Sequence, residues 1–136
     1  MKSYLVAGTI LFSSITAAAA QGSYDALPVA SMLPEDVVQL SGVVPQMGEH
    51  WGKIDNLPLG PIYCVHENKI VCLEFMISQE DFAAGESWPV LAGMDGLPPV
   101  NHVSISFEPE GHEGYEIPHY DIHMFFLTPE EVAEIE

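Results

Sequence analysis

The chain has 136 residues, of which 20 are acidic and 3 are lysines, and its formal net charge is −17. A chain this acidic is repelled by the phosphates of nucleic acid and by anionic membrane surfaces, which argues against both as partners. It attracts cations, divalent metal ions among them, although much of the charge only forms the solvated surface of an exported protein.

The first 20 residues have the composition of a secretory signal peptide. Lys2 precedes an apolar run that begins at Tyr4 and ends in four alanines at 17–20. Small residues before Gln21 fit a cleavage site, so we expect a secreted or periplasmic mature protein. A membrane anchor is the weaker interpretation, because the run is barely long enough to span a bilayer, which takes roughly 20 apolar residues. We therefore expect no stable membrane anchor after cleavage.

The remaining length suits one domain with one core. Residues 21–40 are predicted to form an N-terminal arm, in which residues 33–40 fit either a short helix or an edge strand. Residues 41–136 are predicted to form a single β-rich domain. Within it, residues 42–60 contain Gly and Pro among apolar side chains such as Trp51, which indicates an ordered loop.

A β-hairpin is predicted over residues 62–75, with two cysteines flanking its turn. Cys64 and Cys72 belong to a chain that we expect to be exported, where a disulfide can persist. A two-residue turn at Glu67 and Asn68 would place the cysteines on opposite faces. A three-residue loop would place them directly across from each other. The sequence leaves this register open, so the pair is a disulfide candidate.

The helices and the last two strands are predicted from local signals. Ser78 suits a helix N-cap and Gly85 a helix end, which predicts one short helix between them. Residues 100–108 alternate as a strand, and residues 118–127 are predicted as its antiparallel neighbour. Thr128, followed by proline and two glutamates, predicts a C-terminal helix.

The predicted fold is therefore mainly β, with α+β at the margin. It consists of a single antiparallel, sandwich-like or partly rolled sheet of at least four strands, with two short helices.

The last predicted strand carries the pattern His119-x-Asp121-x-His123, whose three side chains share one face. Such a face suggests metal binding or proton transfer, and the alternative is a polar face washed by solvent. Along a straight strand, His119 and His123 lie about 13 Å apart, so one zinc ion can bond both only if the strand has a bulge or a bend. Asp121 can join either of them. Further ligands must come from elsewhere, and the candidates are His102, Glu74, His50 and His112.

Five segments occur in a fixed order along the chain. They are Met-Gly-Glu-His-Trp at 47–51, Gly-Pro-Ile-Tyr at 60–63, Leu-Glu-Phe-Met-Ile at 73–77, Glu-Gly-His-Glu-Gly-Tyr at 110–115 and Pro-His-Tyr-Asp-Ile-His at 118–123. With these segments, the chain resembles a group of small exported bacterial proteins of unassigned function, and the likeness spans residues 41–131. The resemblance implies a compact β-rich domain and assembly into rings, but it supplies no established activity.

The resemblance also implies a site, because six candidate metal ligands fall within its segments. They are His50, Glu74, His112, His119, Asp121 and His123. Imidazole and carboxylate ligands suit a divalent metal ion, zinc or copper. The first hypothesis is therefore an exported metal-binding protein, with hydrolysis by a metal-bound water left open. The alternative is a self-assembling structural or interaction module without metal, and a homo-oligomer is expected. A metal-free His–Asp acid–base enzyme is a third hypothesis.

Overall fold

The computed structural model describes residues 24–136, and the predicted signal peptide at 1–20 lies outside the described residues. The described chain contains six strands and two short α-helices. They are β1 (Val38–Val44), β2 (Gly48–Gly52), β3 (Ile62–His66), β4 (Lys69–Ser78), α1 (Gln79–Ala84), β5 (His102–Glu108), β6 (His119–Phe125) and α2 (Pro129–Val132). Short 3-10 helices lie at Ala30–Met32 and Ile54–Asn56.

All six strands belong to one antiparallel sheet, in the order β1-β2-β3-β4-β6-β5. The sheet remains open, with β1 and β5 as its edges. The prediction of a mainly β chain with one antiparallel sheet and two short helices is confirmed. Among residues 24–136, no helix is long and apolar enough to cross a bilayer.

The predicted helix caps are present. The Ser78 hydroxyl accepts a hydrogen bond from the Asp81 amide at 3.0 Å, and Gly85 ends α1 in the left-handed conformation. At α2, Thr128 and Glu131 form a reciprocal capping box. These short-range signals therefore give the correct helix positions.

The prediction of a loop over residues 42–60 is wrong. This stretch contains the end of β1, all of β2 and a 3-10 helix. The five residues of β2 are bounded by glycines, and these glycines hid the short strand from a pattern-based prediction. For residues 33–40, the edge-strand alternative holds only from Val38 onward.

The hairpin of β3 and β4 combines the two registers that the sequence left open. Glu67 and Asn68 form a two-residue turn with φ angles of 45° and 64°, the positive values that such a turn requires. Farther along, Val65 pairs with Ile70 while Cys64 pairs with Cys72, so β4 carries one extra residue in a β-bulge. The bulge restores the alignment of the cysteines. They are joined in a disulfide with their Cα atoms 4.9 Å apart.

The polar face of β6 is the buried one. His119, Asp121 and His123 are buried, whereas Ile122 and Met124 on the opposite face are only partly buried. The alternative of a solvent-washed polar face is therefore wrong.

In strand β5, too, the apolar side chains face solvent and the polar side chains that alternate with them face the sheet's more buried side. Its apolar residues Val103 and Ile105 are 54% and 65% exposed, while the polar residues between them are half-buried.

The apolar core lies around the central strands β3 and β4. Both faces of these strands are buried, and side chains such as Tyr63, Leu73 and Phe75 form its centre. Val132 and Ile135 of the C-terminal segment pack against it. This core supports the polar face of β4 and β6 beside it, and burial of apolar surface stabilises the sheet by about 25 cal/mol per Å².

Candidate metal centre

One face of the sheet brings together polar residues from three strands. Glu74 of β4 is directly opposite His123 of β6, and Met76 is opposite Asp121. His50 projects from β2, where it is paired with Cys64 of β3. A cavity of about 800 Å³ opens over this face, and its lining includes His50, Glu74, His112 and Asp121.

The first group on this face, called site A, consists of His112, His119 and Asp121. His119 Nε2 lies 3.0 Å from Asp121 Oδ1, and His112 Nε2 lies 3.6 Å from Asp121 Oδ2. The two Nε2 atoms lie 3.1 Å from each other. One ligand atom from each residue lies within 4.8 Å of the other two, so the group is positioned to bind a metal ion.

The other ring nitrogens of site A are held by the backbone. His119 Nδ1 lies 2.6 Å from the Ile117 carbonyl oxygen, and His112 Nδ1 lies 3.2 Å from the Glu113 carbonyl oxygen. Because a carbonyl only accepts hydrogen bonds, each Nδ1 must carry a proton, and a neutral ring then has its lone pair on Nε2. Such backbone hydrogen bonds commonly orient histidines that bind metals.

The loop between β5 and β6 places His112 over the strand. His112 and Tyr115 exchange two backbone hydrogen bonds, and the Tyr115 ring stacks on His119 with centroids 4.3 Å apart. The bend requires glycine at Gly111, where φ is 68° and an added Cβ would collide with the Tyr115 carbonyl oxygen. The sequence Gly-His-Glu-Gly thus forms a tight loop that points an imidazole back at β6.

The second group, called site B, consists of His50, Glu74 and His123. The Glu74 carboxyl lies between the two rings, with Oε2 3.4 Å from His50 Nε2 and Oε1 3.3 Å from His123 Nε2. Ser41 orients His50, because its hydroxyl donates to the Gly42 carbonyl and its oxygen faces His50 Nδ1 at 3.0 Å. In the neutral ring, His50 Nε2 therefore presents its lone pair toward Glu74.

Each site contains one buried polar atom that lacks a hydrogen-bond partner among residues 24–136. These atoms are Asp121 Oδ1 in site A and His123 Nε2 in site B. Both have a polar neighbour at 3.0 to 3.3 Å, but the geometry is not that of a hydrogen bond. Groups that converge without bonding to one another fit a shared cation, and site A has the ligand spacing for one.

Burial shifts the two carboxyl groups toward their neutral forms. Burial and the nearby charge of Asp121 raise the pKa of Glu74 to about 8. Burial also raises the pKa of Asp121, although the imidazoles of His119 and His112 act in the opposite direction. A bound cation would favour the ionised carboxylates instead.

Burial shifts the imidazoles of site B in the complementary direction. It lowers the pKa of His123 to about 4, with His50 and His112 contributing in the same direction. The pKa of His50 is lowered as well, again chiefly by burial. Neutral imidazoles are the form that binds metal ions.

All six candidate ligands lie on this face, and they divide into two sets of three. His119 and His123 fall in different sets, as the length of a regular strand requires. His102 lies outside both, since its ring stacks on Phe125 with centroids 4.9 Å apart.

Two relationships in site B were missed by reasoning from the sequence. Ser41 supports His50, and Cys64 lies close to the ligand atoms of His50 and His123. Both relationships depend on strand registers that local patterns do not encode.

The fold and these groups define a class, a small single-sheet β protein whose His, Asp and Cys groups are positioned to bind a metal ion. No family model and no curated protein matches the chain. Among solved structures, the crystal structure of hypothetical protein TTHB210 from Thermus thermophilus is similar, with a TM-score of 0.62 and 19% sequence identity. The match covers 72% of this chain and 94% of that one, and at this identity it shows the fold alone.

Proposed function

We propose that the protein is an exported metal-binding protein that holds a divalent ion, zinc or copper, at site A. The observation that carries the proposal is the approach of His112 Nε2 to His119 Nε2 at 3.1 Å beside the carboxyl of Asp121. Because each Nδ1 carries a proton, two neutral rings would direct lone pairs at each other, which is repulsive. A shared cation removes the repulsion and also satisfies Asp121 Oδ1.

The spacing of the ligand atoms suits such an ion. Nitrogen and oxygen atoms that bind zinc at about 2.0–2.1 Å in a tetrahedron lie about 3.3–3.4 Å from one another. In site A, the two Nε2 atoms lie 3.1 Å apart, His119 Nε2 lies 3.0 Å from Asp121 Oδ1, and His112 Nε2 lies 3.6 Å from the other oxygen, Oδ2. One atom from each of the three residues lies within 4.8 Å of the other two, so an ion could bond all three after the side chains adjust, and imidazole with carboxylate suits either zinc or copper.

Hydrolysis is an extension of this proposal. Three protein ligands leave a fourth position for water, and zinc lowers the pKa of a bound water to about 7. Asp121 and His112 line the 800 Å³ cavity, so a bound water would face space for a substrate. Export to the periplasm or the exterior and membership of the group that the sequence resembles remain predictions.

The test is elemental analysis of the purified, untagged protein after loading with zinc or copper and dialysis. We expect about one tightly held ion per chain, lost in His119→Ala. His102→Ala is the matched control, because His102 lies on the same face of the sheet but outside both sites. A wild-type protein that retains no ion, or a His119→Ala variant that binds as well as wild type, would exclude site A.

A self-assembling module is the second candidate, and the exposed apolar face of β5 favours it. Val103, Ile105 and Phe107 are 54%, 65% and 41% exposed on an edge strand. An apolar edge strand is a surface on which a strand of another copy can pair.

Sedimentation tests this second candidate. Under it, Ile105→Lys reduces the measured mass, whereas Val90→Lys, which changes an exposed apolar residue outside the strands, leaves the mass unchanged. A monomeric wild type contradicts the self-assembling module, and so does an Ile105→Lys variant of unchanged mass.

A further inference from the structure

The disulfide of the β3–β4 hairpin lies against site B. Cys64 is paired with His50 across β2 and β3, and its Sγ lies within 4.8 Å of a ring nitrogen of both His50 and His123. Both cysteines are fully buried. His123, whose Nε2 lacks a hydrogen-bond partner among the described residues, belongs to the same cluster.

A sulfur within a disulfide is a poor metal ligand, because the ligand form of cysteine is the thiolate. In the oxidised protein, site B therefore offers two imidazoles and the carboxyl of Glu74. If the disulfide is opened, Cys64 becomes a third ligand beside His50 and His123 without any change in strand register. Cys72 is not part of the cluster that surrounds the two imidazoles.

We propose that reduction of the Cys64–Cys72 disulfide creates a thiolate-containing metal site from Cys64, His50 and His123, with Glu74 beside it. This site is separate from site A and does not require site A to hold an ion. A thiolate with two imidazoles is a softer ligand set than imidazole with carboxylate alone, so it favours zinc and copper(I) over harder ions.

A dithiol can reduce the Cys64–Cys72 disulfide. The reductant transfers two electrons and two protons, becomes a disulfide itself, and leaves Cys64 and Cys72 as thiols. Cys64 then loses its proton to solvent as its sulfur bonds the cation. An ionised sulfur without a cation would be costly at this fully buried position, so the loss of the proton accompanies metal binding.

Two variants that both lack the disulfide provide the matched comparison. Cys72→Ser leaves Cys64 as a free thiol, and Cys64→Ser leaves Cys72. Cobalt(II) is the probe, because a thiolate bound to cobalt gives a charge-transfer band in the near ultraviolet that imidazole and carboxylate do not give. Both variants are made on the His119→Ala background, so that site A does not compete for the probe.

We expect Cys72→Ser to give the band, saturating at about one cobalt ion per chain, and Cys64→Ser and the oxidised parent to give none. The parent reduced with a phosphine, which contributes no thiol, should also give the band, and this arm does not depend on how either variant folds. Equal bands in the two cysteine variants, or no band in the reduced parent, would overturn the proposal. Because the band reports sulfur ligation, a metal-free site A leaves this result unaffected.

Discussion

The Nε2 atoms of His112 and His119 face each other at 3.1 Å, although each ring has its Nδ1 held by a backbone carbonyl. The His112 ring lies on a loop and is 43% exposed at its side chain, and the His119 ring is completely buried on β6. The loop thus forms the exposed side of site A, and the other side is buried in the sheet. Under the proposed function, cation binding at site A depends on both the carboxyl of Asp121 and the conformation of this loop.

Replacement of Asp121 by asparagine should weaken cation binding at site A by about 100-fold or more. Substituting a partner of a metal-bound histidine already costs 10–100-fold, and Asp121 would be a ligand itself. Competition with a chromophoric chelator measures the change. The control is Glu110→Gln, which removes the same charge from an exposed position on the neighbouring loop. Equal weakening in both variants would indicate a general effect of charge.

The metal-free protein should lose stability as the pH rises from 6.5 to 8. The pKa of Glu74 is raised from 4.5 to about 8, so its stabilising contribution is complete below 4.5 and is lost as the pH rises toward 8. The pKa of His123 is lowered from 6.5 to about 4, so its contribution is complete above 6.5 and is lost as the pH falls toward 4. Below pH 6.5, the contributions of Glu74 and His123 to the free energy of unfolding change in opposite directions with pH. Above pH 6.5, only the loss of the Glu74 contribution remains of these two.

The measurement is urea unfolding in the presence of a chelator at several pH values between 6.5 and 8. One proton accounts for a slope of at most about 1.4 kcal/mol per pH unit. Glu74→Gln should flatten that slope, because a glutamine does not ionise. Glu80→Gln, at an exposed position in the first turn of α1, should leave the slope intact. If the slope persists in Glu74→Gln, the pH dependence of stability belongs to another ionisable group.

Gly111→Ala should reduce both stability and cation binding at site A. The new Cβ would collide with the Tyr115 carbonyl oxygen, so the loop that carries His112 must shift. We expect a loss of about 1–3 kcal/mol in the free energy of unfolding, the usual cost of a strained residue. Gly114→Ala is a close control, since its φ is also positive at 87° but its Cβ would meet open space. Only Gly111→Ala should weaken cation binding as well as lower the melting temperature.

Loss of the disulfide should destabilise the protein by about 2–3 kcal/mol, because closing a short loop removes only a modest amount of entropy from the unfolded chain. Cys64 and Cys72 are separated by 8 positions. Denaturant unfolding of a Cys64→Ala/Cys72→Ala double variant, compared with the oxidised wild type, tests this value. A much larger loss would mean that the bulged hairpin depends on the bond for its register.

Local patterns in the sequence determined most of the elements and the grouping of side chains along each strand. Alternation in β6 placed His119, Asp121 and His123 on one face, because successive side chains of a strand point to opposite sides. The same geometry indicated that one ion cannot bond both His119 and His123 from a straight strand. Ser78 and Thr128 marked the starts of α1 and α2 through hydrogen bonds that span only three residues.

Only the tertiary structure decided which face of β6 became the buried one and which groups met there. Alternation defines two faces, but their burial depends on the strands and loops that cover them. Glu74 meets His123 through the pairing of β4 with β6, and His50 meets Cys64 through a strand mistaken for a loop. A single bulge in β4 aligned the cysteines. Most of these contacts join residues far apart in sequence, so their formation depends on the packing of the whole sheet.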